Sequence, residues 1–149
     1  LTTTAGKAIR FSEDDVRPMG REATGVRGVS LADGAEVNSL IILRDGPILT
    51  ASENGYGKLT LAEEFPVHGR GGQGVIGLKI TNKKGHVVAA FMVGLEDEVV
   101  AIASNGVTIR TEVKQISSQG RAATGVRLMN LDDGAVVASV APILSTDDE

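Results

Sequence analysis

Cysteine and tryptophan are absent from this chain, and its other rings are few: one Tyr and three Phe, 3% of 149 residues with the Tyr and Phe taken together. Without cysteine there is no disulfide framework, thiolate zinc site or cysteine nucleophile. So few rings argue against the aromatic platforms on which single-stranded nucleic acids stack. The two histidines, His68 and His86, have no partner spacing, so neither reads as a metal ligand or a base. No apolar run approaches the roughly 20 residues that cross a bilayer, and no secretory signal pattern opens the chain. A cytoplasmic protein without membrane contact is expected. A nucleophile elbow, a P-loop and a paired-histidine zinc motif are also missing, so no catalytic, cofactor or metal site is expected in this chain.

Glycine is what the chain has in abundance, 19 of 149 residues, against an average usage of about 7%. With 42% hydrophobic and 23% charged residues it can bury a core. The net charge of -4 alone disfavours a polyanionic partner. Three of the acids, however, are the terminal Asp147, Asp148 and Glu149, so the remainder is near -1 (-4 less -3) and placement matters more than the sum.

The chain repeats itself. Gly20-Arg21-Glu22-Ala23-Thr24-Gly25-Val26 returns as Gly120-Arg121-Ala122-Ala123-Thr124-Gly125-Val126, and the offset of 100 holds from Ile9-Arg10 against Ile109-Arg110 to Asp33-Gly34-Ala35 against Asp133-Gly134-Ala135. A middle copy carries Gly69-Arg70 and Gly74-Val75, with Phe65 at the position of Val16 and Ile116. Three units follow, at 1–49, 50–100 and 101–144, with an acidic tail at 145–149.

Each unit reads as strands: 107–111, 126–131 and 136–140 in the third copy, and 75–80, 87–93 and 98–103 in the second. Turn pairs separate them, among them Asn54-Gly55, Lys84-Gly85 and Asn105-Gly106. Only 12–17, 62–66 and 112–116 could hold a helical turn. About 50 residues and four strands per unit give an all-β, propeller-like array of three blades. Three blades form an incomplete ring, since closure takes about 4–8, and the abrupt opening strand Leu1-Thr2-Thr3-Thr4 implies part of a longer array.

In the Gly-Arg loops the glycines read as positions of positive φ, with the following Val in the core. No packing rule accounts for Arg21, Arg70 and Arg121 at matching loop positions. Arg10 and Arg110, and Arg27 and Arg127, alternate with apolar neighbours and are expected to face solvent. A row of arginines beside glycine loops suits a phosphate backbone; the competing reading is a solvated face paired with Glu22, Glu112 and nearby acids. Gly69-Arg70-Gly71-Gly72-Gln73-Gly74 matches the dinucleotide fingerprint in letters only, because a strand pattern follows where a helix must open. The clusters Glu13-Asp14-Asp15 and Glu96-Asp97-Glu98 lack calcium-loop spacing and read as solvated turns.

Several strings together resemble the C-terminal domain of the bacterial DNA gyrase A protein. They are Asn54-Gly55-Tyr56-Gly57-Lys58, Glu64-Phe65-Pro66, His68-Gly69-Arg70-Gly71-Gly72-Gln73-Gly74-Val75 and Gly125-Val126-Arg127-Leu128-Met129-Asn130-Leu131. The resemblance implies the last three blades of a β-pinwheel, in which neighbouring blades exchange strands and a basic rim binds and bends duplex DNA. It implies a non-catalytic part of an ATP-driven type IIA topoisomerase that introduces negative supercoils. ATP and Mg2+ would then act through other domains, and the partners would be double-stranded DNA, the remaining domains of gyrase A and the gyrase B protein. The residues expected to touch DNA are Arg10, Arg21, Arg27, Lys58, Arg70, Lys79, Arg110, Arg121 and Arg127. Tyr56 is expected to be structural or phosphate-contacting, and not a nucleophile. The glycine-rich basic box of the family's first blade is missing here, and 69–74 is a weaker sibling. The alternatives are the C-terminal domain of topoisomerase IV and an all-β protein-interaction scaffold. Self-association is expected of an open array, with two half-rings facing each other.

Overall fold

Tight glycine turns set the local structure. Gly6, Gly55 and Gly106 have φ of 79°, 88° and 88°, closing the hairpins that open each repeat. In the computed structural model, which describes residues 1–143, these hairpins are β1 (Thr2–Thr3) with β2 (Lys7–Ala8), β4 (Pro47–Ser52) with β5 (Tyr56–Leu61), and β8 (Glu98–Ala103) with β9 (Thr108–Glu112). A single 3-10 turn follows each hairpin, at Glu13–Asp15, Ala62–Glu64 and Val113–Gln115, inside the three segments that the sequence allowed a helical turn. Later strands in each repeat are β3 (Val37–Ser39), then β6 (Val75–Ile76) and β7 (Val87–Met92), then β10 (Val126–Arg127) and β11 (Val137–Ile143). The expected tail at 145–149 lies outside the described residues.

The strands form three sheets, ordered β3-β1-β2-β6, β10-β5-β4-β7 and β11-β8-β9, which do not close into a ring. The first two are completed by the following repeat: β6 pairs antiparallel with β2 (Lys7↔Ile76, Ala8↔Val75), and β10 with β5 (Tyr56↔Arg127, Gly57↔Val126). The expected four strands per blade therefore hold for two of the three sheets, where they are not four consecutive strands, and the third sheet has three among the described residues. The lent strands have two residues each, shorter than the runs 75–80 and 126–131 expected for them. Their backbones leave the ladder at once, and Leu128 instead bonds back to the hairpin turn, its N–H donating to Gly55 O at 2.7 Å. In the first repeat Val26 and Arg27 occupy the same register but join no strand of the described residues.

Because strands are exchanged, apolar packing lies between repeats. One cluster joins Leu49, Leu59 and Val93 of the second repeat to Val99, Val113 and Ile116 of the third. Another sets Ala8 against Phe65, Ile48 and Ala90. Phe65 and Ile116 are buried at matching positions, whereas Val16, their counterpart, is 39% exposed. β11 contains Pro142, tolerated because β11 is an edge strand.

Candidate nucleic-acid interface

The Gly-Arg loops of the second and third repeats leave a 3-10 turn and run back along the hairpin of the repeat before. In the third copy the loop reverses through Ala123 N–H to Gly120 O at 3.1 Å, and its second glycine then meets the acceptor strand. Gly125 and Gly74 have φ of 81° and 79°, and a Cβ on them would lie 2.8 Å from Gly57 O and 2.4 Å from Ala8 O. The second glycine thus supplies both the left-handed backbone and the close approach that strand exchange needs. The first glycine of each loop, Gly20, Gly69 or Gly120, does not adopt positive φ, contrary to expectation. Val126 is also not seated in the core, being 37% exposed. A two-residue strand at the sheet edge has too little cover to bury it.

The loop arginines do have a packing role. Arg70 donates from NH1 to Arg27 O at 3.1 Å and from Nε to Asp15 O at 2.9 Å. Arg121 donates from NH1 to Ile76 O at 2.9 Å. Since Ile76 occupies in its repeat the position of Arg27, each guanidinium latches the same carbonyl of the repeat before it. These are carbonyl contacts, so the positive charge is oriented without being neutralised. Arg21, Arg27 and Lys79 are exposed, and their side chains have no polar partner among the described residues.

The other expected contacts are placed differently. Arg10 is half-buried, not solvent-facing: its NH1 donates to Ala62 O and Phe65 O, both at 3.2 Å, closing the 3-10 turn of the second repeat. Arg110 is exposed but ion-paired with Glu98, its Nε 2.6 Å from Oε2. Arg127 donates from NH2 to the Tyr56 hydroxyl at 2.8 Å and from NH1 to Asn130 Oδ1 at 3.3 Å. Lys58 lies in the interior, 0% exposed, with its side chain reaching the loop of the third repeat. Its ammonium donates to Gly120 O and Arg121 O, each at 2.6 Å, pinning the third repeat's loop. Burial pulls its pKa down to about 8, a fall opposed by Glu64 and reinforced by Arg121.

Lys83 and Lys84 also belong to this surface and were not singled out from sequence. Lys84 Nζ stands 3.3 Å from the centroid of the Tyr56 ring, whose other close cation is Arg127 at 5.2 Å. Aligning the three copies would have revealed them, since they fill the places of Gly34-Ala35 and Gly134-Ala135. Among the described residues no group of three or more His, Asp or Glu is placed to hold a metal, and no helix is long and apolar enough to cross a membrane.

Comparison with known proteins adds the following. A family model described as DNA gyrase C-terminal domain, beta-propeller, matches residues 1–44, 47–93 and 97–143. The DNA gyrase A protein of Salmonella typhimurium is 47% identical over 151 residues, and that of Escherichia coli 42% over 150; each match covers 100% of this chain and 17% of the relative. The solved gyrase A C-terminal domain superposes with a TM-score of 0.82 at 29% identity, over 96% of this chain and 49% of that one. The solved C-terminal domain of DNA topoisomerase IV gives 0.85 at 25% identity, over 95% and 45%.

Proposed function

Because the chain belongs to the DNA gyrase C-terminal domain family, we propose that it binds duplex DNA along its loop arginines and helps to bend it, as a non-catalytic part of a gyrase A protein. One observation carries this reading. Arg70 and Arg121 are held in equivalent poses by backbone carbonyls, and neither takes part in the ion pairs Arg110–Glu98 and Lys114–Glu112. Such a surface offers fixed, uncompensated charge at each blade junction, which is what a curved phosphate backbone needs. Bending a site of 20–30 bp costs several kcal/mol, and distributed phosphate contacts must offset it. Contacts of this kind carry little base information, so binding is sequence-tolerant and strongly salt-dependent.

The interface we propose consists of Arg21, Arg27, Arg70, Lys79, Arg121 and Arg127, with Arg110 joining at the expense of its pair with Glu98. Lys58 and Arg10 act behind it, by holding the loops. The proposal extends to the remaining domains of gyrase A and the gyrase B protein as partners and to a cytoplasmic setting, with ATP and Mg2+ acting through other domains. The identities of 42–47% to gyrase relatives favour gyrase over topoisomerase IV. Supercoiling by the assembled parent enzyme would distinguish the two.

The test is a salt titration of duplex binding. Arg70→Ala with Arg121→Ala is expected to lower the slope of log K against log salt by about 1.8, roughly 0.9 per lost phosphate contact. Arg70→Lys with Arg121→Lys should keep the slope, because charge remains although the carbonyl latch is weakened. An unchanged slope in the alanine pair would remove both residues from the interface.

A further inference from the structure

The turn that precedes the last strand closes with the same hydrogen bond in all three repeats, although its left-handed glycine is Gly34 and Gly134 in the outer two (φ 74° and 78°) and Gly85, two positions further on, in the middle one (φ 72°). Ala35, Lys84 and Ala135 each donate their N–H to the residue three positions back, Ala32 O, Thr81 O and Asp132 O, at 3.0, 2.9 and 3.0 Å. Its charge is not the same. The first repeat places Asp33 and Glu36 there, the third Asp132 and Asp133, and the second Lys83 and Lys84. Closing the turn does not require this reversal, since the acidic versions make the same hydrogen bond.

The basic turn is also firmly placed. The hairpin turn of the same repeat grips it: Asn54 Nδ2 donates to Lys83 O at 3.0 Å, Asn54 N–H to Lys84 O at 3.3 Å, and Glu53 N–H to His86 O at 2.8 Å. The nearest acid, Glu53, is engaged, its Oε1 accepting the His86 N–H at 3.0 Å. Lys84 packs on the Tyr56 ring and Arg127, lent by the third repeat, reaches the Tyr56 hydroxyl. Lys84 and Arg127 therefore flank one buried tyrosine, with Lys83 beside Lys84 in the same turn, and none of the three has a carboxylate partner among the described residues. Their field acts on the phenol. Burial alone would raise its pKa, but Arg127, Lys83 and Lys84 outweigh that and hold it below its ordinary value.

We infer that Lys83, Lys84 and Arg127, arranged around Tyr56, form a phosphate-binding node on the middle blade, built at the exchanged strand and taking one segment of duplex backbone. The inference rests on the duplex-binding reading above and adds to it Lys83 and Lys84, which gather with Arg127 into one site outside the repeating pattern. Two ammonium groups and a guanidinium repel one another in the free protein, and a phosphodiester between them relieves that repulsion. The node forms only when the third repeat's strand is in place, so it couples anion binding to completion of the sheet.

The experiment removes both lysine charges, by Lys83→Gln and Lys84→Gln, in the full chain. The turn is held through the main-chain carbonyls of residues 83 and 84, which the variant keeps, so it is expected to fold, and thermal unfolding checks it. Duplex binding is followed by fluorescence anisotropy from about 50 to 200 mM salt, a range over which phosphate contacts dominate the change. The expected result is a slope lowered by about 1.8, roughly 0.9 per lysine, and one lowered by about 0.9 for Arg127→Gln, which retains an amide donor for the tyrosine. If the parent chain binds and both variants keep its slope, the node is overturned while the duplex-binding reading survives. If the parent chain does not bind duplex DNA at all, both fall together.

Discussion

Gly74→Ala is expected to part the first repeat from the second. At φ of 79° an alanine is strained by about 1–2 kcal/mol, and its Cβ would lie 2.4 Å from Ala8 O, a backbone atom that cannot step aside. The lent strand must then lift from β2, losing the Lys7↔Ile76 and Ala8↔Val75 pairs. A total cost of about 3–5 kcal/mol is expected, a large part of the 5–15 kcal/mol by which domains are stable. Gly25→Ala is the internal control. Its φ is 87°, yet nothing lies within 4 Å of its Cβ, so only the conformational cost of about 1–2 kcal/mol applies. Urea unfolding of the two variants measures the difference. Equal losses would show that close approach contributes nothing at Gly74.

The second large effect is at Lys58. Lys58→Met leaves Gly120 O and Arg121 O without their donor, at about 1–3 kcal/mol for each, partly offset by no longer burying an ammonium. A net loss of about 2–3 kcal/mol is expected, concentrated in the loop that carries Arg121. The pH dependence has a definite sign. The folded-state pKa is about 8 against an ordinary 10.5, so between these values the unfolded chain holds the extra proton and stability rises with pH. Below pH 8 both states are protonated and this contribution is flat. The neutral amine still has two N–H donors for the two carbonyls, so the contacts survive deprotonation. The stability gap between the parent chain and Lys58→Met should therefore widen from pH 8 towards 10.5. A gap that narrows over that range would contradict the assignment.

The period of the sequence made the repeats, the hairpin turns and the three 3-10 turns legible, because glycine pairs and apolar spacing act locally. It did not show which sheet a strand joins. Val75-Ile76 looks the same whether it pairs within its own repeat or with the one before, and only the approach of Gly74 to Ala8 O distinguishes them. The same gap misplaced Lys58: its neighbours in sequence are those of a half-exposed strand, and the loop carbonyls that receive its ammonium lie 62 and 63 residues further on. Arginine in the loops looked unexplained because its acceptor is a main-chain carbonyl in another repeat, and carbonyls leave no mark on composition. The basic node was within reach, as its signal is a departure from the repeat at Lys83 and Lys84, and attention to what recurs passes over what does not.

Strand exchange also bears on how the chain is made. As it leaves the ribosome, the edge at Lys7–Ala8 stays open until Val75–Ile76 emerge, and the edge at Tyr56–Gly57 until Val126–Arg127 emerge. Each sheet is thus finished one repeat late, behind a moving front of incomplete structure. Pairing across so long a separation is slow, and an open edge is the kind of surface that neighbouring nascent chains can add to. Translation speed through the second and third repeats would then influence the yield of native protein, with the greatest sensitivity just before each lent strand appears.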